Sequence, residues 1–180
     1  MSNHESPFKK NALKGMRALV CGASRGIGRA AAKAFAEAGA SVIACSRDEY
    51  ALNQLVDALP GTGHQAVPMD LEKLEVVEML ITKLLKDGPI QILVNNAAGP
   101  PGGPLLENKI EDFEAPFKRH LHAAHTITRL LAPQMEQSGM GRVVNIISTS
   151  VKEPIPNIGL SNTLRGAMAS WSKTLSRELA

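Results

Sequence analysis

The stretch that decides the fold is Arg17–Ala32, RALVCGASRGIGRAAA. It opens on Ala18-Leu19-Val20-Cys21, a continuous apolar run of the kind shown by a parallel strand covered on both faces. It closes as an alanine-rich helix start, and between the two lie Gly22, Gly26 and Gly28. A strand that turns straight into a helix needs residues without a Cβ: one to make the turn, one to let a ligand reach the backbone, one to let helix and strand pack closely. The helix that follows points its free N–H groups and positive dipole end back at the turn, which makes an anion site. A glycine pattern can also be a plain tight turn. Its place between a strand and a helix favours the pyrophosphate of a dinucleotide.

Outward from this stretch, strand and helix alternate. Ile27 to Ala38 reads as a helix closed by Gly39, and Ser41–Cys45 as a second buried strand. Ser46-Arg47-Asp48 opens a helix through Leu59, stopped by Pro60-Gly61. Gln65–Met69 is a third strand, ending at Asp70. An amphipathic helix from about Leu71 to Lys86 carries Val77, Leu80, Ile81 and Leu84 on one face. Ile90–Val94 is a fourth strand ending in Asn95-Asn96-Ala97-Ala98-Gly99, followed by the stiff loop Pro100–Pro104, PPGGP. Glu107–Gln137 reads as a long helix with a break expected near Pro116. Arg142–Ile147 is a fifth strand, and Ser161–Ala180 a last helix. The pattern predicts an α/β fold, a doubly wound parallel sheet of Rossmann type with right-handed crossovers. With strand order 3-2-1-4-5, the glycine turn and Asn95–Gly99 flank one crevice at the switch point between the first and fourth strands.

A chain of 180 residues suits a single domain, here residues 13–180 behind a polar N-terminal tail, 1–12. That tail has no apolar segment of the secretory kind, and no apolar run reaches bilayer length, so a cytoplasmic, non-membrane protein is expected. The 20 Lys and Arg are scattered among 17 Asp and Glu, and aromatics are few, which argues against a nucleic-acid partner. The two cysteines, Cys21 and Cys45, end neighbouring predicted strands and read as buried hydrophobes rather than a disulfide. No His/Cys cluster has metal-ligand spacing, so no metal is expected.

From about Leu13 to Ala180 the chain resembles the short-chain dehydrogenase/reductase family, whose first turn reads Thr-Gly-x-x-x-Gly-x-Gly. Here Cys21 stands for the threonine. Within the family it is most similar to the β-ketoacyl carrier-protein reductases. The resemblance implies cofactor contacts from Gly22, Ser24, Arg25, Gly26, Ile27 and Gly28 in the turn, and from Ser46 and Arg47 after the second strand. It further implies contacts from Asp70 and Leu71 after the third strand, and from Asn96, Ala97, Ala98 and Gly99 after the fourth. Asp70 also reads as an N-cap. NAD readers usually place an acid at the end of the second strand, and this chain has Cys45-Ser46-Arg47 there. Two guanidiniums, Arg25 and Arg47, suit a ribose 2′-phosphate, so NADP(H) is expected in preference to NAD(H). Both arginines also read as solvated loop charges.

In this family a tyrosine donates or accepts the proton, a lysine one helical turn later lowers its pKa, a serine positions the carbonyl oxygen, and an asparagine holds a water relay. Aligning the last helix on Lys173–Leu179, these positions fall on Ser161, Arg165, Ser148 and His120 respectively, and only Ser148 matches. The chain's one tyrosine, Tyr50, sits beside the second strand. A serine hydroxyl starts several units above the ~10 of tyrosine, so tuning alone does not make it the same acid. Ser161 and Arg165 share a helix face. Arg165 keeps a positive charge but cannot cycle a proton. His120 has an unperturbed pKa in the useful range, and reads either as a proton donor or as an ordinary helix histidine.

Family members continue past this helix with two more strands, another helix and a Pro-Gly turn, so the resemblance also implies a chain shorter than its relatives. The expected function is NADP(H)-dependent hydride transfer to or from a small carbonyl or alcohol substrate, such as a 3-oxoacyl thioester, in a homodimer or homotetramer. Two alternatives stand beside it: a nucleotide-binding member without turnover, and a truncated chain with no function of its own.

Overall fold

In the computed structural model, which describes residues 9 and 11–180, the sheet has five strands: β1 (Arg17–Cys21), β2 (Ser41–Ser46), β3 (Gln65–Pro68), β4 (Ile92–Asn95) and β5 (Arg142–Asn145). All neighbours run parallel, in the order β3-β2-β1-β4-β5. β1 is central and its last four residues are buried, which is why it reads as an unbroken apolar run. Its side chains alternate between two cores. Leu19 and Cys21 meet Val77, Ile81, Ile127 and Leu131 on one face. Val20 meets Ala32, Ala36, Leu52 and Leu55 on the other. Truncating a fully buried side chain such as Ile81 to alanine costs about 2–5 kcal/mol.

Helices α1 (Gly26–Glu37) and α2 (Glu49–Asp57) cover the second face, and α3 (Leu74–Leu84) and α5 (Ala123–Gln137) the first. The buried stripe of α1 is Gly28, Ala32 and Ala36, so the helix lies close against the sheet. Asp48 caps α2, its carboxylate accepting from Ala51 N at 2.9 Å. Of the N-terminal tail, residues 1–8 and 10 lie outside the described residues. Leu13 N is already bonded to Ala38 O at 2.9 Å, and Leu13 packs on Ala18, Ala40 and Ile92.

Most element ends fall within three residues of the sequence reading, and the largest departure is in the long helix. It starts as α4 (Glu111–Phe117), not at Glu107, which belongs to a separate turn over Leu105–Glu107. The expected break near Pro116 takes the form of a π-helical segment, Lys118–His122, running straight into α5. Proline lacks the N–H that an α-helical ladder needs, and wider i→i+5 pairing next to it accommodates the loss. The last helix, α6 (Gly159–Glu178), packs against this π segment and buries Leu160, Leu164 and Met168. Asp70 does not cap α3: Lys73 holds that place, and the Asp70 carboxylate accepts from Glu72 N at 3.1 Å, closing the turn before the helix. No helix among the described residues is long and apolar enough to cross a membrane.

Candidate active site

The crevice forms where β1 and β4 send their following loops to opposite sides. Gly22 turns the chain with φ +63°, and a Cβ there would lie 2.6 Å from the Asn96 amide nitrogen. Gly28 has ordinary backbone, but a Cβ on it would collide with the Gly22 carbonyl. Gly26, at φ +54°, faces open space. The turn is held from both sides: Ala23 N donates to Cys45 O at 3.0 Å, and the Asn96 amide donates to Cys21 O and Gly22 O at 3.3 Å each. α1 begins with no side-chain cap and no acid in its first turn. Its amides and dipole are therefore left for an anion.

A crevice of ≈ 690 Å³ opens in front of this turn. It is lined by Gly22, Ser24, Arg25, Gly26, Ile27, Ser46, Arg47, Asp70, Leu71, Asn96, Ala97 and Ala98, all expected from the sequence. Gly28 and Gly99 are not in its wall. Gly28 lies beneath the turn, and Gly99 lies toward α6. Arg25 and Arg47 are exposed at the mouth. Asp48 also lines it, but its carboxylate is engaged by the α2 cap.

Arg119 is a wall residue that the sequence reading missed. It is paired with Glu72 at 3.1 Å, and nothing in a helical periodicity announces it, because the π segment sets where it lies. Cys21 and Cys45, paired in register on β1 and β2, form the floor as free thiols. Burial pushes the Cys21 thiol up to about 12 and Cys45 well above its ordinary value, so both stay protonated. No cluster of three or more metal-ligating side chains occurs among the described residues.

Three of the four catalytic candidates come together beyond the crevice. A Cβ on Gly99 would stand 3.9 Å from both Arg165 Nη2 and Ser161 Oγ, so these groups share one small space at the end of β4. Arg165 Nη1 donates to Ile146 O at 2.8 Å and lies 3.4 Å from His120 Nδ1. His120 Nε2 lies 2.9 Å from Ala98 O. A carbonyl only accepts and a guanidinium only donates, so both partners select the same neutral tautomer, with the proton on Nε2. Burial first, and then the Arg165 charge, push the His120 pKa down to about 4. Burial also lowers the Arg165 pKa. Ser148 follows β5, and its Oγ accepts from Ser150 N at 3.1 Å. Tyr50 is far from this cluster in the fold: it is exposed on α2, and its hydroxyl accepts from the Gln54 amide at 2.9 Å.

The PPGGP loop is tied to the start of α6. Gly103 N donates to Asn157 O at 2.6 Å, and Gly159 N donates to Gly103 O at 3.1 Å, which stitches the loop after β4 to the start of α6.

The family model for short chain dehydrogenases matches residues 16–180. The chain belongs to that family. Among curated members it is 31% identical over 170 residues to a ketoacyl reductase of Nostoc sp., covering 93% of this chain and 59% of that protein. It is 35% identical over 168 residues to L-xylulose reductase of Mesocricetus auratus, covering 93% of this chain and 67% of that one. The chain thus spans about three fifths to two thirds of the length of these short-chain dehydrogenases. A solved 3-ketoacyl-(acyl-carrier-protein) reductase from Brucella melitensis, complexed with NADH, superposes with a TM-score of 0.86 at 30% identity, over 93% of this chain and 72% of that one. L-sorbose reductase from Gluconobacter frateurii, complexed with NADPH and L-sorbose, gives 0.90 at 27% identity, over 95% and 66%.

Proposed function

We propose that this chain binds NADP(H) in the β1–β4 crevice and serves hydride transfer between the nicotinamide and a carbonyl or alcohol carbon, with 3-oxoacyl thioesters as the first substrate class to try. The observation that carries the reading is the uncapped start of α1 over a turn whose Gly26 faces open space. The residues fit the cofactor. The glycine turn offers backbone amides to a pyrophosphate, and Arg25 and Arg47 at the mouth suit a 2′-phosphate better than a bare ribose. The two acids of the crevice wall are already engaged: Asp48 caps α2, and Asp70 accepts from Glu72 N. When bound, the dinucleotide supplies or accepts the hydride. The chain's own role is to hold the reacting oxygen near Ser148 and Ser161, to set the Arg165 cation beside it, and to leave proton delivery to ordered water. Assembly as a homodimer or homotetramer through α4–α5 and α6 belongs to the same reading, by family resemblance.

A second reading, nucleotide binding without turnover, is favoured by one observation: both ring nitrogens of His120 are engaged, and no phenol stands near Ser161. Titration with NADPH and NADH by fluorescence, followed by NADPH oxidation against ketones and 3-oxoacyl thioesters, separates the two. Oxidation by any of these substrates supports the reductase. Tight binding with no oxidation supports the second reading, and no binding of either dinucleotide defeats both.

A further inference from the structure

We infer that His120 is a positioning residue: by accepting at Nδ1 it holds the Arg165 guanidinium against Gly99 and Ser161, so that the nicotinamide half of a bound dinucleotide meets a fixed cation. This rests on the dinucleotide reading above.

The geometry is a relay of three elements. The Ala98 carbonyl, in the loop after β4, accepts from Nε2–H at 2.9 Å and fixes the ring's orientation and tautomer. The opposite nitrogen, Nδ1, is then an acceptor, 3.4 Å from Arg165 Nη1 on α6. The same Nη1 is anchored to Ile146 O, after β5, at 2.8 Å. Two fixed acceptors thus hold one nitrogen of the guanidinium, while the other, Nη2, is the one that approaches Gly99. Without His120, Arg165 would keep only the Ile146 carbonyl and a long stem free to rotate. The charged groups around the ring are Arg165 on α6 and Arg119 on the π segment, itself paired with Glu72 ahead of α3. Both neighbours of the imidazole are cations, so it serves as a neutral acceptor and not as an acid.

Two isosteres separate the ring's two bonds. His120→Asn places an amide oxygen where Nδ1 was and loses the link to Ala98; His120→Gln keeps a donor toward Ala98 and loses the acceptor for Arg165. Each variant is titrated with NADPH and with 2′,5′-ADP, which lacks the nicotinamide half. The expected result is a loss of about tenfold for NADPH in His120→Gln, about twofold or less in His120→Asn, and no change for 2′,5′-ADP in either. In an Arg165→Ala background the loss from His120→Gln disappears. Equal losses in both isosteres, losses shared by 2′,5′-ADP, or additivity with Arg165→Ala would overturn the role. A ligand-free measurement stands beside it: the ring nitrogen resonances of His120 should report Nε2–H, and Arg165→Ala should move Nδ1. An unmoved Nδ1 refutes the contact itself. If Arg165→Ala moves Nδ1 but the wild-type chain ignores both dinucleotides, the contact stands while the crevice reading is refuted, and the positioning role with it.

Discussion

The side-chain amide of Asn96 hangs from the two carbonyl oxygens of Cys21 and Gly22, 3.3 Å from each. The loop that follows β4 therefore braces the glycine turn from below. Asn96→Ala removes both bonds and leaves the carbonyls partly unsatisfied. It should cost about 1–3 kcal/mol in urea unfolding and weaken NADPH in parallel. A variant as stable and as tight-binding as the parent would show that the brace is idle.

Gly28 and Gly26 are glycines for different reasons, and alanine tells them apart. At Gly28 a Cβ meets the Gly22 carbonyl, so Gly28→Ala must push α1 away from the turn and should abolish NADPH binding in titration. At Gly26 a Cβ meets no protein atom, so the cost to the fold comes from the positive φ, while the added methyl enters the space proposed for the pyrophosphate. Gly26→Ala should cost about 1–2 kcal/mol of stability in a melt. The order of the two effects on affinity is the check.

Cofactor choice turns on Arg25 and Arg47. Arg47→Asp should lower NADPH affinity at least about tenfold while leaving NADH unchanged or improved, and the NADPH loss should shrink at high salt. An equal loss for both dinucleotides would place Arg47 away from the 2′-phosphate.

His120 ties stability to pH. Its folded pKa is about 4 against an ordinary value of 6.5, so below pH 6.5 the unfolded chain takes up a proton that the folded chain refuses. The contribution is intact above pH 6.5 and is lost as pH falls toward 4, by up to about 3 kcal/mol. Chemical denaturation at stepped pH should show that fall, and His120→Asn should flatten it.

Ser161→Tyr combined with Arg165→Lys restores a phenol and a titrating amine four residues apart on α6. Turnover of a 3-oxoacyl thioester should rise at least about tenfold over the parent. No gain in a double variant that still binds NADPH would argue that residues 161 and 165 do not face the reacting carbon.

The sheet order and the crevice were legible because both follow from chain connectivity: β1 is an apolar run, glycines sit at its end, and a second turn at Asn95–Gly99 falls across the switch point. Element ends drifted where capping was misjudged, as with Asp70, which closes a turn ahead of Lys73. Arg119 and the setting of His120 were not legible. They depend on a π segment after Pro116, and helical periodicity counts 3.6 residues per turn, not the wider pitch. The neutral state of His120 was hidden because it comes first from burial and then from the charge of Arg165, 45 positions away.

The seam between Gly103 and Asn157–Gly159 couples two stretches that are far apart in the chain. A visitor bulky enough to displace either stretch must displace its mate as well, breaking a pair of amide links at once. The two stretches therefore hold or yield as one unit, and a side chain on Gly159, which would run into Leu105, disturbs their seam from within.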